Sequence, residues 1–378
     1  MKCGTVIYMG NFELPDKNAA AHRVVNNGKI FRSLGFRVVY LGAVRGESFE
    51  GARPSGDGVF EQAYPVGLPA WLRHVFDVSD LMKIAAKYDD LKAVILYNTP
   101  FATAKRVKKA FAGTSVTVAY DCTEWNGYAE GSIVKRLYKK LDERRIRRHL
   151  PRVCSDIVVI SRRMEKAYRG ANVLRLPPLV DTEDAIWHQE RIEHPGLFEF
   201  LFAGSPSNKE ALDVVVSAFS SIEGENLRLS VLGVTAEEFA AAFPGAQGAN
   251  DSRVKFFGQL PHEEAVRRVL SCDCYVFIRE STSRNEAGFP TKFAEAYTCG
   301  VPIVTTAVSD VRDYMTSKEK GVVAKNADVP SAREAMLAVL SRPSDGEKTL
   351  DAAFDFRKYI SETEKWISRA ETRSTPNN

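Results

Sequence analysis

The feature that most constrains the fold of this chain is the alternation of apolar, strand-like runs with helical segments along nearly its whole length. In the first half, the strand-like runs are Thr5–Met9, Phe36–Leu41, Ala93–Tyr97, Val116–Tyr120 and Asp156–Ile160. The stretch Asn18–Leu34 has the pattern of a helix, which Gly35 ends. Continuous runs of Val, Ile and Tyr separated by helices are typical of a parallel sheet covered on both faces. Residues 1–180 are therefore predicted to form one Rossmann-like, doubly wound α/β domain.

A second series of strand-like runs follows. Its members are Phe198–Ala203, Leu227–Leu232, Val254–Phe257, Tyr275–Ile278, Ile303–Thr305 and Val322–Ala324. The polar stretch 181–196 lacks strand character and is predicted to be a linker, so a second Rossmann-like domain is expected over residues 197–350. Residues 351–378 begin as a helix that we expect to pack back on the first domain, with a disordered tail after Thr372. Two such domains leave a cleft at the carboxyl ends of their strands, where ligands bind.

The composition excludes several classes of protein. With 378 residues, of which 44% are hydrophobic and 26% charged, the chain can bury two cores and is not intrinsically disordered. No apolar run reaches the length of a membrane-spanning helix, and the short run after Lys2 meets Gly10 at once, which argues against a signal peptide. Six scattered cysteines favour the reducing cytoplasm. We expect a cytoplasmic protein, with a peripheral position at the inner face of the membrane as an alternative.

The most informative motif runs from Gly288 to Val304. Pro290 suits the first turn of a helix, and Gly300 suits the left-handed position just past its end. Lys292 and Glu295 are three residues apart, so they share one face of that helix. A cation and a carboxylate near a helix N-terminus suit a ligand that carries phosphates and a sugar diol, such as a nucleotide diphosphate sugar. An ordinary surface ion pair is the alternative.

This motif also resembles a known signature. The run from Phe289 to Ala296, followed by Cys-Gly-Val-Pro-Ile-Val from Cys299, is similar to the donor-binding signature of family 4 retaining glycosyltransferases of GT-B fold, in the branch that builds bacterial capsule and lipopolysaccharide. The resemblance implies two Rossmann-like domains that face each other across a cleft, and it covers nearly the whole chain. It also implies that Glu295 contacts the ribose of the nucleotide. The donor-binding residues that we predict within this motif are Gly288, Phe289, Pro290, Thr291, Lys292 and Glu295.

One position of the signature differs. The family usually has a glutamate eight residues before the ribose glutamate, where it contacts the donor sugar, but that position is Ala287 here. Glu286 lies one residue away. Either the loop shifts Glu286 into place, so that it joins the donor-binding residues, or the donor sugar is recognised differently.

A second motif follows the strand that ends at Ala203. Gly204 ends the strand, Ser205 suits an N-cap and Pro206 suits the first helical position, which predicts a helix N-terminus with Lys209 one turn in. Such a terminus binds anions, although capped helices with a lysine are common. The family resemblance implies that Lys209 grips the donor diphosphate. The family has an arginine beside the glycine, but this chain has Ser205 at that position. Arg279 is our candidate to supply the missing positive charge.

In the first domain, Asp121 and Glu124 follow a predicted strand end, in an Asp-x-Thr-Glu-Trp pattern that the capsule-type branch shares. A carboxylate here could position the acceptor hydroxyl or could cap the next helix. His22 and Arg23 lie near the start of the first helix, after three alanines that allow close approach of a ligand. We take Asp121, Glu124 and His22 as candidate catalytic residues, although a surface position is an open alternative for His22 and Arg23.

No metal site is predicted. The cysteines and histidines lack the spacing of metal ligands, and the chain has no Asp-x-Asp pair of the kind that holds a divalent cation in metal-dependent transferases of the other main fold. We therefore expect no cofactor. The leaving diphosphate would be neutralised by Lys209, Lys292, Arg279 and helix N-termini.

The stretch from Lys135 to Arg152 is strongly basic. Its cations are Lys135, Arg136, Lys139, Lys140, Arg144, Arg145, Arg147, Arg148 and Arg152. Apolar residues, among them Ile133, Leu137 and Leu141, are spaced as a stripe on the same helix, which favours a helix docked to the core with a solvated basic face. The alternative is a patch that rests on an anionic membrane. Nucleic-acid binding is disfavoured, because no recognised binding motif accompanies the charge.

The function that these motifs favour is transfer of a sugar, with retention, from a nucleotide-diphosphate donor to a glycan or a lipid-linked acceptor in surface polysaccharide synthesis. A nucleotide-sugar 2-epimerase shares the fold but needs acid–base groups near the sugar, and few are available. A non-catalytic GT-B protein that binds a nucleotide is a third hypothesis, kept open by Ser205 and Ala287.

Overall fold

A computed structural model describes residues 4–14, 18–44, 53–55, 59–65, 77–125, 133–205, 210–342 and 348–374. The chain divides into two compact units. Unit 1 comprises Met1–Val180 and Asp355–Asn378, and unit 2 comprises Asp181–Phe354. Each unit is built on its own sheet.

The sheet of unit 1 has eight strands in the order β3-β4-β2-β1-β5-β6-β7-β8. They are β1 (Gly4–Gly10), β2 (Phe36–Val44), β3 (Arg53–Ser55), β4 (Val59–Pro65), β5 (Leu91–Tyr97), β6 (Thr117–Cys122), β7 (Asp156–Val159) and β8 (Asn172–Arg175). All pairings are parallel except that of β3 with β4. Every residue of β1 is buried, as expected of a central strand with helices on both faces.

Helices connect these strands. In unit 1 they are α1 (Ala19–Ser33), α2 (Ser79–Ala85), α3 (Phe101–Ala110), α4 (Ile133–Val153), α5 (Arg162–Ala167) and the C-terminal α12 (Ile360–Ser374). The predicted limits of the first helix are confirmed. The Asn18 side chain accepts a hydrogen bond from the backbone N–H of Ala21, and Gly35 follows the helix with a φ of 87°.

Unit 2 has six parallel strands in the order β11-β10-β9-β12-β13-β14. They are β9 (Phe198–Ala203), β10 (Leu227–Leu232), β11 (Val254–Phe256), β12 (Cys274–Phe277), β13 (Ile303–Thr306) and β14 (Gly321–Ala324). Its helices are α6 (Leu212–Ser220), α7 (Ala236–Ala242), α8 (His262–Ser271), α9 (Ser283–Ala287), α10 (Thr291–Thr298) and α11 (Val329–Leu340). The chain passes from one side of β9 to the other between β11 and β12, so the sheet has its topological switch point between β9 and β12.

Two doubly wound α/β domains were predicted, and this fold class is confirmed. Each strand-like run found in the sequence forms a strand, with ends that differ by a few residues. Three further strands, β3, β4 and β8, were not predicted. β8 is a short strand with alternating burial, and such a strand lacks the continuous apolar run that marks the central strands.

The two segments that flank the second sheet pack differently from each other. Residues 181–196, predicted as a linker, belong to unit 2, where a one-turn 3-10 helix, Ala185–Trp187, buries Trp187. Helix α12 packs on unit 1: the indole N–H of Trp366 donates to the backbone oxygen of Asn172 at 2.9 Å, and the Asn172 amide donates to the Trp366 carbonyl at 3.0 Å. Of the tail predicted to be disordered after Thr372, residues 373 and 374 belong to helix α12, and residues 375–378 lie outside the described part of the chain.

Candidate functional site

The candidate donor site lies at the carboxyl edge of the unit 2 sheet, where β9 and β12 end side by side. Gly204 follows β9, and Arg279 follows β12 by two residues. Helix α10, which carries the best motif, begins nearby at Thr291. In open α/β sheets, ligands bind at this kind of position, outside the strand ends and at the switch point.

Helix α10 begins one residue later than the sequence indicated. Pro290 is the N-cap, with an extended backbone, and not the first helical residue. The end of the helix is as predicted: Gly300 has a φ of 68°, and its N–H donates to the carbonyl of Tyr297 at 3.0 Å. A left-handed φ is strained for residues with a side chain, which accounts for the glycine.

Lys292 and Glu295 lie on one face of α10, as predicted, and form an ion pair. The Lys292 ammonium donates to Oε2 of Glu295 at 2.9 Å. On the other side, Nε2 of His262 at the start of α8 is 3.8 Å from Oε1 of Glu295, a distance at which the contact is electrostatic. The Glu295 side chain is 10% exposed, whereas that of Lys292 is 36% exposed.

These contacts keep Glu295 ionised. Burial by itself raises the pKa of the Glu295 carboxyl, but the charges of Lys292 and His262 outweigh burial and lower this pKa to about 2. The carboxylate in turn raises the pKa of Lys292. At neutral pH the face therefore offers a fixed carboxylate that accepts hydrogen bonds and a partly exposed ammonium that attracts phosphate.

Arg279 and Gly204 lie together, and a third residue, Glu210, lies between them. The Arg279 guanidinium is buried and donates from Nη2 to Oε1 of Glu210 at 2.7 Å. The guanidinium also covers the ring of Phe277, with its central carbon 4.6 Å from the ring centre. A side chain at position 204 would collide with Glu210, because an ideal Cβ there lies 2.0 Å from Oε2. Gly204 therefore allows the close approach of a carboxylate to the strand end.

The helix predicted to begin at Ser205 and Pro206 starts later. Helix α6 begins at Leu212, where a continuous buried apolar face begins. Ser205 is therefore not its N-cap, and the N-cap Ala211 makes no side-chain cap. Lys209 and Pro206 lie outside the described residues.

The loop between β12 and α10 holds Glu286 by two hydrogen bonds. Glu286 accepts from the Ser281 hydroxyl at 2.7 Å and from the backbone N–H of Ser309 at 3.2 Å. The Ser309 hydroxyl donates to the Gly288 carbonyl. Ala287, by contrast, is fully buried. Glu286 is thus a partly buried side chain of the short helix α9 (Ser283–Ala287), which stands where the sequence indicated a loop, while position 287 faces the core.

Phe289, predicted to bind the donor, lies in an aromatic cluster. Its ring contacts those of Phe293, Tyr314 and Phe354 at centroid distances of 5.7 to 6.0 Å. Phe289 is 6% exposed and Pro290 is also buried, whereas Thr291 is partly exposed. The aromatic contacts of Phe289 anchor the start of α10, so its support of the donor site is indirect.

In unit 1, Asp121 lies inside β6 and not after it. Its carboxylate is completely buried and accepts hydrogen bonds from the Tyr8 hydroxyl at 2.5 Å, from Arg23 at 2.8 Å and from the Asn27 amide at 3.2 Å. Arg23 also donates to the carbonyl of Leu176 at 2.9 Å. A carboxylate enclosed by these donors joins β1, α1 and β6, and it neither caps a helix nor meets solvent.

Glu124 and His22 have more exposed positions. Both are partly buried, Glu124 beyond the end of β6 and His22 in the first turn of α1. Trp125, the next residue after Glu124, is buried and donates from its indole N–H to the Tyr168 hydroxyl at 3.4 Å. Of the three candidate catalytic residues, Glu124 and His22 are therefore the two with accessible side chains.

The basic helix α4 differs from the prediction that its apolar stripe docks on the core. Ile133, Leu137 and Leu141 are 80%, 57% and 45% exposed. The helix contacts unit 1 through other residues: Leu150 is fully buried, and the Asp142 carboxylate accepts from the backbone N–H of Phe101 at 3.1 Å. Ile133, Leu137 and Leu141 are four residues apart, so they lie in a row on one face of the helix. Asp142 and Leu150 lie on the opposite face, which is the one that contacts unit 1.

None of the helices in the described ranges has the length and apolar character needed to cross a membrane. Within the same ranges, no group of three or more His, Cys, Asp or Glu side chains is arranged to hold a metal ion.

Comparison with known proteins identifies the domain in unit 2. Residues 184–356 match the family model described as Glycosyl transferases group 1, a stretch that contains Gly204, Arg279, Lys292 and Glu295. Unit 2 thus carries a group 1 glycosyl transferase domain. A search of curated proteins finds no significant match to the sequence.

Solved structures resemble the chain over nearly its whole length. Sucrose-phosphate synthase from Thermosynechococcus elongatus is 13% identical with a TM-score of 0.75, covering 98% of this chain and 100% of that one. The lipopolysaccharide outer core galactosyltransferase WaaB in its apo form is 12% identical, with a TM-score of 0.65 and coverages of 97% and 99%. Anabaena HepE in complex with UDP and glucose is 13% identical, with a TM-score of 0.64 and coverages of 98% and 99%. At these identities the likeness concerns the fold, which is GT-B, as predicted.

Two residues of the site escaped the sequence interpretation. Glu210 adjoins Lys209 in the second motif, but nothing in the local pattern pairs it with Arg279, which is distant in sequence. His262 opens α8 after Pro261 and approaches Glu295 only because α8 packs near α10. Both contacts are tertiary, and no spacing rule could have found them.

The low pKa of Glu295 predicts a pH-dependent contribution to stability. A carboxyl whose pKa is about 2 in the folded protein and about 4.5 when unfolded stabilises the fold fully above pH 4.5, and this stabilisation is lost as the pH falls towards 2. Between pH 7 and pH 3 the free energy of unfolding should therefore fall by about 2 kcal/mol more in the wild type than in Glu295→Gln. Urea unfolding of the two proteins at both pH values measures this difference. Equal losses in the two proteins would show that the ion pair does not lower this pKa.

Proposed function

We propose that this protein is a retaining glycosyltransferase that moves a sugar from a nucleotide-diphosphate donor to a glycan or lipid-linked acceptor. The observation that carries the proposal is the charged face of α10, where the Lys292 ammonium and the Glu295 carboxylate lie together beside the switch point of unit 2. A nucleotide diphosphate sugar presents phosphates and a ribose diol, which suit an ammonium and a carboxylate respectively. The group 1 glycosyl transferase domain over the same residues supports it.

In this proposal the donor binds entirely through groups of unit 2. Glu295 accepts hydrogen bonds from the ribose hydroxyls, and Lys292, Arg279 and Lys209 neutralise the diphosphate. Gly204 lets the diphosphate approach the strand end, and the partly buried residues Glu286, Gly288 and Thr291, between the end of α9 and the start of α10, border the sugar. No metal ion or other cofactor is required, since the cations carry the charge of the leaving group.

The chemistry that we propose retains the configuration of the donor sugar. The bond from the anomeric carbon to the phosphate oxygen breaks, and the acceptor oxygen bonds to the same face of that carbon. The acceptor proton passes to the leaving phosphate, so no dedicated base is needed. Glu124 and His22 are the groups proposed to orient the acceptor hydroxyl, while the buried Asp121 supports the strands of unit 1.

The biological setting is also a proposal. The resemblance to the capsule and lipopolysaccharide branch of family 4 favours bacterial surface polysaccharide synthesis at the cytoplasmic face of the membrane. Among the structural neighbours, WaaB is named a lipopolysaccharide galactosyltransferase, and HepE was solved with UDP and glucose. By analogy, a nucleotide sugar is the proposed donor, and its base and sugar stay open.

Helix α4 supports a membrane-bound acceptor. The exposed row Ile133, Leu137 and Leu141 is flanked by exposed cations. Arg136, Lys140, Arg144 and Arg148 are among them. An apolar row bordered by positive charge suits the interface of an anionic bilayer, where each basic residue near the surface contributes about 1 kcal/mol.

Donor binding should depend on both charges of α10. Glu295→Ala and Lys292→Ala should each weaken binding of UDP or GDP by roughly 1.5–3 kcal/mol, or about tenfold to a hundredfold, because a charge-assisted hydrogen bond to the ligand is lost. Calorimetric titration measures the effect. Glu264→Ala is the matched control, since it removes an ion pair of similar length, 2.8 Å to Arg268, elsewhere in unit 2. Unchanged affinity for UDP and GDP in both α10 variants would contradict the assignment of Lys292 and Glu295 as donor-binding residues.

Turnover should proceed in excess EDTA. Incubation with a panel of radiolabelled nucleotide sugars should give slow hydrolysis of one donor, because water replaces the missing acceptor. Formation of an epimer would instead indicate a nucleotide-sugar 2-epimerase, and an intact donor would indicate a non-catalytic binding protein. A complete loss of turnover in EDTA that magnesium restores would contradict the metal-independent diphosphate site.

Binding to anionic vesicles should depend on α4. Replacing Lys139, Lys140, Arg144 and Arg148 by glutamate should reduce co-sedimentation with such vesicles, and high salt should do the same by screening. Arg147 is left intact, because it pairs with Glu143 and stacks on Trp125.

The control for vesicle binding carries the same charge change on exposed lysines elsewhere. These are Lys87, Lys255, Lys318 and Lys325. Donor hydrolysis should be equal in both variants, since the proposed donor site lies in unit 2. Equal vesicle binding by the wild type and the α4 variant would show that α4 is a solvent-exposed helix without a role in membrane binding.

A further inference from the structure

The guanidinium of Arg279 is only partly used. Its Nη2 donates to Glu210 at 2.7 Å, whereas its Nε is buried and has no hydrogen-bond partner among the described residues. Nε and Nη2 form the edge of arginine that can hold two oxygens of one anion. An unpaired buried N–H is unfavourable, so the contact with Glu210 leaves a donor that a larger anion could satisfy.

The backbone around Arg279 is fixed. The Arg279 N–H donates to the Thr306 hydroxyl at 2.9 Å, and that hydroxyl donates to the Arg279 carbonyl at 2.7 Å. The N–H of Ala211, next to Glu210, donates to the carbonyl of Ile278 at 3.1 Å. The two backbones are therefore held beside each other, and the Glu210 side chain is the part that can turn away.

The Glu210 carboxylate occupies a position suited to phosphate. One oxygen meets Arg279, and the other lies against Gly204, where no side chain would fit. The pKa of Lys292 is raised mainly by the charge of Glu295, and the charge of Glu210 raises it further. A single carboxylate thus lies among the strand-end glycine, the buried guanidinium and the partly exposed ammonium.

We infer that Glu210 takes the place of a donor phosphate when no nucleotide is bound and sets the affinity for nucleoside diphosphates by competing with that phosphate. This inference rests on the proposed function of the same site. When a diphosphate binds, the Glu210 side chain leaves Arg279, and two phosphate oxygens take both Nε and Nη2. Like charge excludes the carboxylate and the phosphate from the same place, so Glu210 lowers affinity for the phosphates without touching the nucleoside.

Glu210→Gln tests this competition. The glutamine is nearly isosteric but neutral, so UDP or GDP should bind about three- to tenfold more tightly than to the wild type, in calorimetric titration. Binding of the corresponding nucleoside, uridine or guanosine, should not change, because it carries no phosphate. Glu264→Gln is the control for removal of a carboxylate elsewhere in unit 2 and should leave both affinities at wild-type values.

A double-mutant cycle locates the gain at Arg279. In an Arg279→Lys background the Glu210→Gln gain should disappear, because lysine offers no two-donor edge. Weaker diphosphate binding by Glu210→Gln, or an equal gain for the nucleoside, would overturn the inference and make Glu210 a structural partner of Arg279. A failure of the proposed function is distinguishable from this, since wild-type protein would then bind neither UDP nor GDP.

Discussion

Two pairs of opposite charges at the carboxyl edge of unit 2, Lys292 with Glu295 and Arg279 with Glu210, are the interactions on which the candidate site depends. Charges that leave water need partners, because an unpaired buried charge is strongly destabilising. Each pair therefore holds its cation in place at this edge of the sheet. The contact with Lys292 also lowers the pKa of Glu295, so this side chain is a carboxylate at neutral pH.

The buried network of unit 1 obeys the same rule with a different outcome. Asp121 and Arg23 are both buried, and their partners come from β1, α1 and the chain after β8. All the polar contacts of this carboxylate point inward, so the pair holds elements together. The Glu295 pair instead keeps one member, Lys292, open to solvent. The Arg279–Glu210 pair is buried on both sides, as the Arg23–Asp121 pair is, so exposure alone does not separate the pairs of the candidate site from a structural pair.

Several positions show why the sequence interpretation failed where it did. An aspartate at a strand end looks like a ligand-binding group, but β6 extends beyond Tyr120 and buries Asp121. The apolar residues of α4 look like a docking stripe, but the docked face is the one with Leu150. Helix α6 begins where its buried face begins, and not at the Ser-Pro pair. In each case a local signal was overruled by packing against distant elements.

The sequence by itself determined the two-sheet α/β class, the order of the central strands along the chain, the helix ends at Gly35 and Gly300, and the shared face of Lys292 and Glu295. These are local properties, since burial runs, capping and helical spacing act within a few residues. Only the tertiary structure decided that Glu210 meets Arg279 and that His262 approaches Glu295. Such contacts join residues far apart in the chain, and they follow from how strands and helices pack.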